Sequence, residues 1–214
     1  MNIHLETITP AMEEVARAIS ETSIDARYYL AGGTALALRI GHRQSVDLDY
    51  FTAHPIDTPS LKEKLQEHFG TRTRVTFEEK NTLWVSIDSV KVSFISRFDK
   101  LLDPAEKEDV FSLAGLRDIT VMKLGAICGR EEYKDYFDLA CLSQCTDVRL
   151  WREWWEEVYP NQDSTSWLIA LSAVDSLPSV PLRIFDTYNK LEVSKTILQT
   201  AKDITAHSER MLEK

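Results

Sequence analysis

The chain has 214 residues, 43% hydrophobic and 28% charged, with a formal net charge of -9, enough for one large domain or two small ones sharing a core. No apolar run approaches the roughly 20 residues that span a bilayer, and MNIHLETITP lacks the basic stretch and apolar core of a secretory leader, so a cytoplasmic chain with no membrane partner is expected. The acidic balance gives no global pull on nucleic acid, so an RNA or DNA substrate would need a local basic face or a metal bridge.

In chain order, a first helix is predicted from Thr9, with Pro10 at its first helical position and Met12, Val15, Ala16 and Ile19 on one face. Tyr28 to Ala31 reads as a short strand ending at Gly32-Gly33, and Thr34 to Ile40 as a short helix stopped near Gly41. Ser45 to Phe51 alternates as a half-buried strand, with Asp47, Asp49 and Phe51 on one side. A helix over Pro59 to Phe69 follows, capped by Thr58 and ended by Gly70. Three β-type runs come next, Arg72 to Phe77, Thr82 to Ile87 and Val90 to Ser96, the last two joined by an Asp88-Ser89 turn. Phe98 to Glu108, with its charges and Pro104, reads as a crossing linker. Beyond it, Leu116 to Gln144, Leu150 to Tyr159, Ser164 to Asp175 and Tyr188 to Leu212 read as helical. Strands before helices argue an α+β chain: a mixed sheet with flanking helices over 1–100, then a helical half over 101–214.

Gly32-Gly33-Thr34 falls between a strand and a helix. Glycines there permit unusual dihedrals and close backbone approach, and the helix N-terminus offers N–H groups to a phosphate. Asp47 and Asp49 share one side of a strand, about 7 Å apart. Such a pair can cradle Mg²⁺, completed by phosphates and water. Taken singly, each feature is more often a plain turn or a solvated strand face; the strand–turn–helix–strand order makes the combination specific.

The stretch LAGGTALALRIGHRQSVDLDYF resembles the signature of the nucleotidyltransferase superfamily, and more closely the AbiEii/AbiGii toxin family. The resemblance implies a compact mixed sheet with flanking helices, one or two Mg²⁺ ions and a nucleoside triphosphate substrate. Arg43 and Ser45 fit the family's habit of an Arg and a Ser shortly before the aspartates; Arg43 is either a phosphate contact or an exposed loop arginine.

A second constellation begins at Asp118. On a continuous helix, Lys123, Arg130, Lys134 and Asp138 form one stripe, at offsets 0, 7, 11 and 15, although Gly129 is a possible break. The bland alternative is a surface ladder of ion pairs. The segment is also similar to later AbiEii-type motifs, matching at Asp118, Lys123, Arg130, Lys134, Asp135 and Asp138. That likeness implies a phosphate contact for Lys123 and a catalytic role for Asp135 or Asp138, within a helical domain that completes the cleft. Arg130 and Lys134 join the nucleotide-binding candidates.

One departure stands out. Nucleotidyltransferases usually carry a third carboxylate on a later strand, and in SVKVSFIS that position falls at Ser93. A hydroxyl is a poor Mg²⁺ ligand by comparison. Cys128, Cys141 and Cys145 are expected in the core, and Trp151, Trp154 and Trp155 face the core or a partner. The expected function is Mg²⁺-dependent nucleotidyl transfer to an acceptor, with RNA such as tRNA and a cognate antitoxin protein implied by the family resemblance. The alternatives are a nucleotide- or partner-binding pseudoenzyme and an aminoglycoside-like small-molecule transferase.

Overall fold

The computed structural model describes residues 3–24, 27–97, 99–178, 180–185, 188 and 190–212. Met1, Asn2 and Phe98, which enter the expectations for the leader and the linker, lie outside the described residues. The chain forms two compact units: Met1–Lys100 with Pro104–Ala114, and Leu101–Asp103 with Gly115–Lys214.

In the first unit, α1 spans Pro10–Ser20, and the Thr9 hydroxyl caps it by accepting from the Met12 N–H at 3.2 Å. Strand β1 is Tyr29–Leu30. Helix α2, Gly32–Ile40, ends at Gly41, whose φ of 66° lies in the left-handed region. Strand β2 is Asp47–Thr52 and α3 is Thr58–Phe69. The cap of α3 is Asp57, not Thr58: the Asp57 side chain accepts from the Ser60 N–H at 3.2 Å. A proline is tolerated anywhere in the unpaired first turn, so Pro59 did not fix the start. Strands β3 (Thr73–Glu79), β4 (Thr82–Ile87) and β5 (Val90–Ser96) complete a meander. Asp88 and Ser89 turn with φ of 49° and 68°, the doubly positive pattern of a tight hairpin.

The expected linker is more structured than composition suggested. Leu101–Asp103 joins the second unit, and the chain then returns to the sheet as a hairpin of β6 (Glu106–Glu108) and β7 (Phe111–Leu113). Three-residue strands are too short for a periodic signal. The seven-stranded sheet runs β3-β4-β5-β2-β1-β7-β6. It is mixed, with β2–β5 and β1–β7 parallel and the remaining neighbours antiparallel.

Alternation gives β4 and β5 two unlike faces. Leu83, Val85, Ile87, Val90, Val92 and Phe94 are buried on one, with Leu48 and Tyr50 of β2. Trp84 and Lys91 are exposed on the other. A bulge between Val75 and Phe77 shifts the β3 register so that Phe77 faces Trp84.

The second unit is helical: α4 (Leu116–Gly129), α5 (Tyr133–Cys145), α6 (Trp151–Val158), α7 (Thr165–Ser172) and α8 (Val193–Leu212). Trp151, Trp154, Trp155 and Trp167 are all buried, so the tryptophan helix faces the core. The expected helix from Leu116 to Gln144 is two helices, because Arg130 is extended (φ -154°, ψ 143°). The last helix starts at Val193 rather than Tyr188. No helix among the described residues is long and apolar enough to cross a membrane.

Candidate functional site

The first unit carries the glycine turn and the aspartate strand side by side. The Ala31 N–H donates to the Asp49 carbonyl at 3.2 Å, which sets the turn against β2. Gly32 takes a φ of 65°, and a Cβ there would lie 3.7 Å from Asp49 Oδ2. The dihedral favours glycine, while that approach is ordinary contact that a side chain would tolerate. No side chain caps α2, so its first turn presents backbone N–H groups to an anion. Thr34 is buried and its hydroxyl bonds to Ser45 Oγ at 2.7 Å and to the Asp47 carbonyl. Thr34 and Ser45 therefore brace the turn against the start of β2. Arg43 is buried and donates to the Gln44 carbonyl at 3.1 Å. The exposed-loop alternative for Arg43 is thereby excluded.

Asp47 and Asp49 are partly exposed while Leu48 between them is buried. Asp47 Oδ1 is shielded from solvent, accepts no hydrogen bond, and lies 4.0 Å from Lys91 Nζ. A shielded carboxylate oxygen with no hydrogen bond, and only a distant ammonium beside it, has capacity for a closer cation. Opposite Asp49 in the β2–β5 register stands Ser93, whose hydroxyl donates to Asp49 Oδ1 at 2.5 Å. The third-carboxylate position is thus occupied by a donor that engages one oxygen of Asp49. No group of three or more His, Cys, Asp or Glu side chains suited to a metal occurs among the described residues. The two aspartates, with this unbonded oxygen, would suit a divalent cation completed by phosphate oxygens and water.

The second unit holds a buried ion cluster. Lys123 Nζ lies 2.6 Å from both Asp135 Oδ1 and Asp138 Oδ2, and the side chains are 5%, 0% and 0% exposed. Arg130 closes on Asp135 with a two-pronged contact of 2.7 and 3.1 Å. Burial pushes the Asp135 carboxyl up, but Lys123 and Arg130 outweigh it and hold it below the usual carboxylate range. Lys134 pairs with Glu132 at 2.8 Å. The i,i+4 surface ladder is absent: the break at Arg130 removes the continuous stripe, and the cluster is buried. Asp118 accepts from the N–H groups of Leu102 (2.7 Å) and Asp103 (3.1 Å), pinning the crossing segment to α4. Of the cysteines only Cys141 is in the core; Cys128 and Cys145, in the last turns of α4 and α5, are exposed free thiols.

The chain as a whole has counterparts among known proteins. The family model of the nucleotidyl transferase AbiEii toxin, type IV toxin–antitoxin system, matches residues 15–186. The chain belongs to the AbiEii toxin family. An uncharacterized protein of Aquifex aeolicus (strain VF5) is 40% identical over 116 residues, which is 52% of this chain and 55% of that protein. The match therefore spans about half the length of that relative. Among solved structures, the MenT4 nucleotidyltransferase toxin of Mycobacterium tuberculosis H37Rv is similar at a TM-score of 0.55 and 18% identity, covering 92% of this chain and 82% of that one. JHP933 of Helicobacter pylori is similar at 0.50 and 16%, covering 95% of each. At these identities the likeness concerns the fold, which is that of the nucleotidyltransferase toxins.

Asp47, Asp49 and the glycine turn were legible from spacing. Trp84 and Phe77 were not singled out, because which strands lie beside β2, and in what register, is not written in local sequence.

Proposed function

We propose that this AbiEii-family chain is a Mg²⁺-dependent cytoplasmic nucleotidyltransferase that moves a nucleotidyl group from a nucleoside triphosphate to an acceptor hydroxyl, on RNA such as tRNA, with a cognate antitoxin as its protein partner. The observation that carries the reading is the pair Asp47 and Asp49 on one strand face beside the Gly32 turn, with Asp47 Oδ1 lacking a hydrogen-bond partner. Asp47 and Asp49 hold the cation. Gly32, Gly33 and the first turn of α2 receive triphosphate oxygens through backbone N–H groups, and Thr34 and Ser45 keep that turn in register with β2. Arg43 adds positive charge nearby.

The acceptor oxygen forms a bond to the α-phosphorus while the bond from that phosphorus to the bridging pyrophosphate oxygen breaks; the hydroxyl proton leaves to water. A bound divalent cation supplies neutralisation of the triphosphate and of the departing pyrophosphate. In the second unit, Arg130 and Lys134, each 40% exposed or more, are the accessible candidates for nucleotide contact. Lys123 would have to release one of its two aspartates to touch a phosphate; as long as it holds both, it positions Asp135 and Asp138.

The test is incubation with each labelled nucleoside triphosphate, Mg²⁺ and total tRNA. Label is expected on tRNA with the wild type and not with Asp47→Ala. Absence of nucleotide binding by the wild type overturns the reading. A second reading, nucleotide binding without transfer, is favoured by the Ser93 hydroxyl on Asp49; tight binding with no labelled acceptor would select it.

A further inference from the structure

The face of the sheet that carries the aspartates continues outward with an unusual surface. In the β2–β5–β4–β3 register, Asp49 stands beside Ser93, Ser93 beside Trp84, and Trp84 beside Phe77. Paired residues on neighbouring strands point to the same face, so these four form one row. The adjacent row is Asp47, Lys91, Ser86 and Arg74. Trp84 is 46% and Phe77 39% exposed, with ring centroids 4.8 Å apart. Large exposed aromatics side by side are informative where scattered apolar residues are not. Without the bulge, Phe77 would fall opposite Leu83, on the buried face; the extra residue turns it onto the open one.

We infer that the Trp84–Phe77 pair is a stacking platform for unpaired bases at the end of the acceptor strand, with Lys91 and Arg74 beside its phosphates. Strand spacing puts Trp84 about 10 Å and Phe77 about 14 Å from Asp49, a reach that a single strand covers in a few nucleotides. Aromatic faces stack on any base, and single-strand sites pair them with cations along the backbone; in a chain of net charge -9 those cations must be local. In the row next to the aromatics, Lys91 has an 81% exposed side chain and Arg74 is exposed, two cations placed for a phosphate backbone; Asp47 shares that row and Glu79 lies in the row on the other side. The word acceptor rests on the transferase reading; the platform itself does not.

The experiment uses the full chain and a dye-labelled short single-stranded RNA, with the same sequence as a blunt duplex for comparison, read by anisotropy. Trp84→Ala should weaken single-strand binding roughly tenfold and Phe77→Ala by somewhat less, with Trp84→Phe retaining most of it. Nucleotide and Mg²⁺ binding by calorimetry should match the wild type in all three, which also shows that they fold. Unchanged RNA affinity in both alanine variants overturns the proposal. So does equal binding of duplex and single strand, or a parallel loss of nucleotide affinity, which would put the triphosphate's own base on Trp84. Self-association abolished by Trp84→Ala, with RNA affinity unchanged, would make the face a protein interface and overturn it too. If the wild type binds no nucleotide yet holds RNA through Trp84, the transferase reading fails while the platform stands.

Discussion

At the scale of the residue, the metal role proposed for the aspartates turns on Ser93. Its hydroxyl donates to Asp49 Oδ1, which fixes that carboxylate with a neutral neighbour on β5; among the described residues no group of three or more His, Cys, Asp or Glu suited to a metal occurs. Restoring the carboxylate by Ser93→Asp should tighten divalent cation binding about tenfold or more, seen by calorimetry, and make the thermal midpoint rise when Mg²⁺ is added. Without metal the same variant should be less stable than wild type, because two carboxylates then face each other across β2 and β5. A variant that gained no metal affinity would move the cation site away from Asp49. Lys123 makes the opposite case, a charge fully enclosed. Lys123→Met would strand two buried carboxylates, and a loss of about 3–5 kcal/mol in urea unfolding is expected. Nucleotide affinity measured on the folded fraction then separates a phosphate contact, where it falls, from a positioning role, where it does not.

At the scale of the element, the sequence spoke clearly where its signals are local. The helix start at Pro10, the Gly41 stop, the alternation across Asp47 and Asp49 and the Asp88-Ser89 turn each depend on a few adjacent residues, and each has its structural counterpart. What was lost depends on distant partners or on very short elements. The β6–β7 hairpin has two three-residue strands whose place is fixed by the pairing of Leu113 with Leu30. The buried Lys123 cluster required the chain to leave the helix at Arg130 and bring Asp135 back onto Lys123; a continuous helical wheel could not show it. Gly32 offers the direct test of the α2 entry. Gly32→Ala places a Cβ at a φ of 65°, so a loss of about 1–2 kcal/mol is expected in denaturant unfolding. Nucleotide affinity should drop alongside if the turn is the triphosphate seat.

At the scale of the whole molecule, acid should find the weak point in the second unit. The folded Asp135 carboxyl lies below the value of about 3.9 for an unfolded Asp. Its stabilisation is therefore complete above that value and is lost as pH falls through the folded one. Asp118 has the other sign: burial raises it, so its contribution is full below the unfolded value and lost as pH rises through the folded one. The prediction is that Asp135→Asn is less stable than wild type at pH 7 but shows a flatter decline in urea midpoint as pH falls below about 4. Parallel acid limbs for the two proteins would remove Asp135 from that role.

The bulge in β3 has one more consequence, for how the protein behaves in a crowded cell. Strand β3 is a terminal strand of the sheet, and an edge bearing Phe77 next to Trp84 is the kind of template on which other chains pile up. The irregularity interrupts the run of unpaired backbone groups, and Glu78 and Glu79 follow it immediately. The same insertion that presents the aromatic pair therefore also keeps the edge from recruiting a stray strand, so stickiness toward bases is gained without stickiness toward itself.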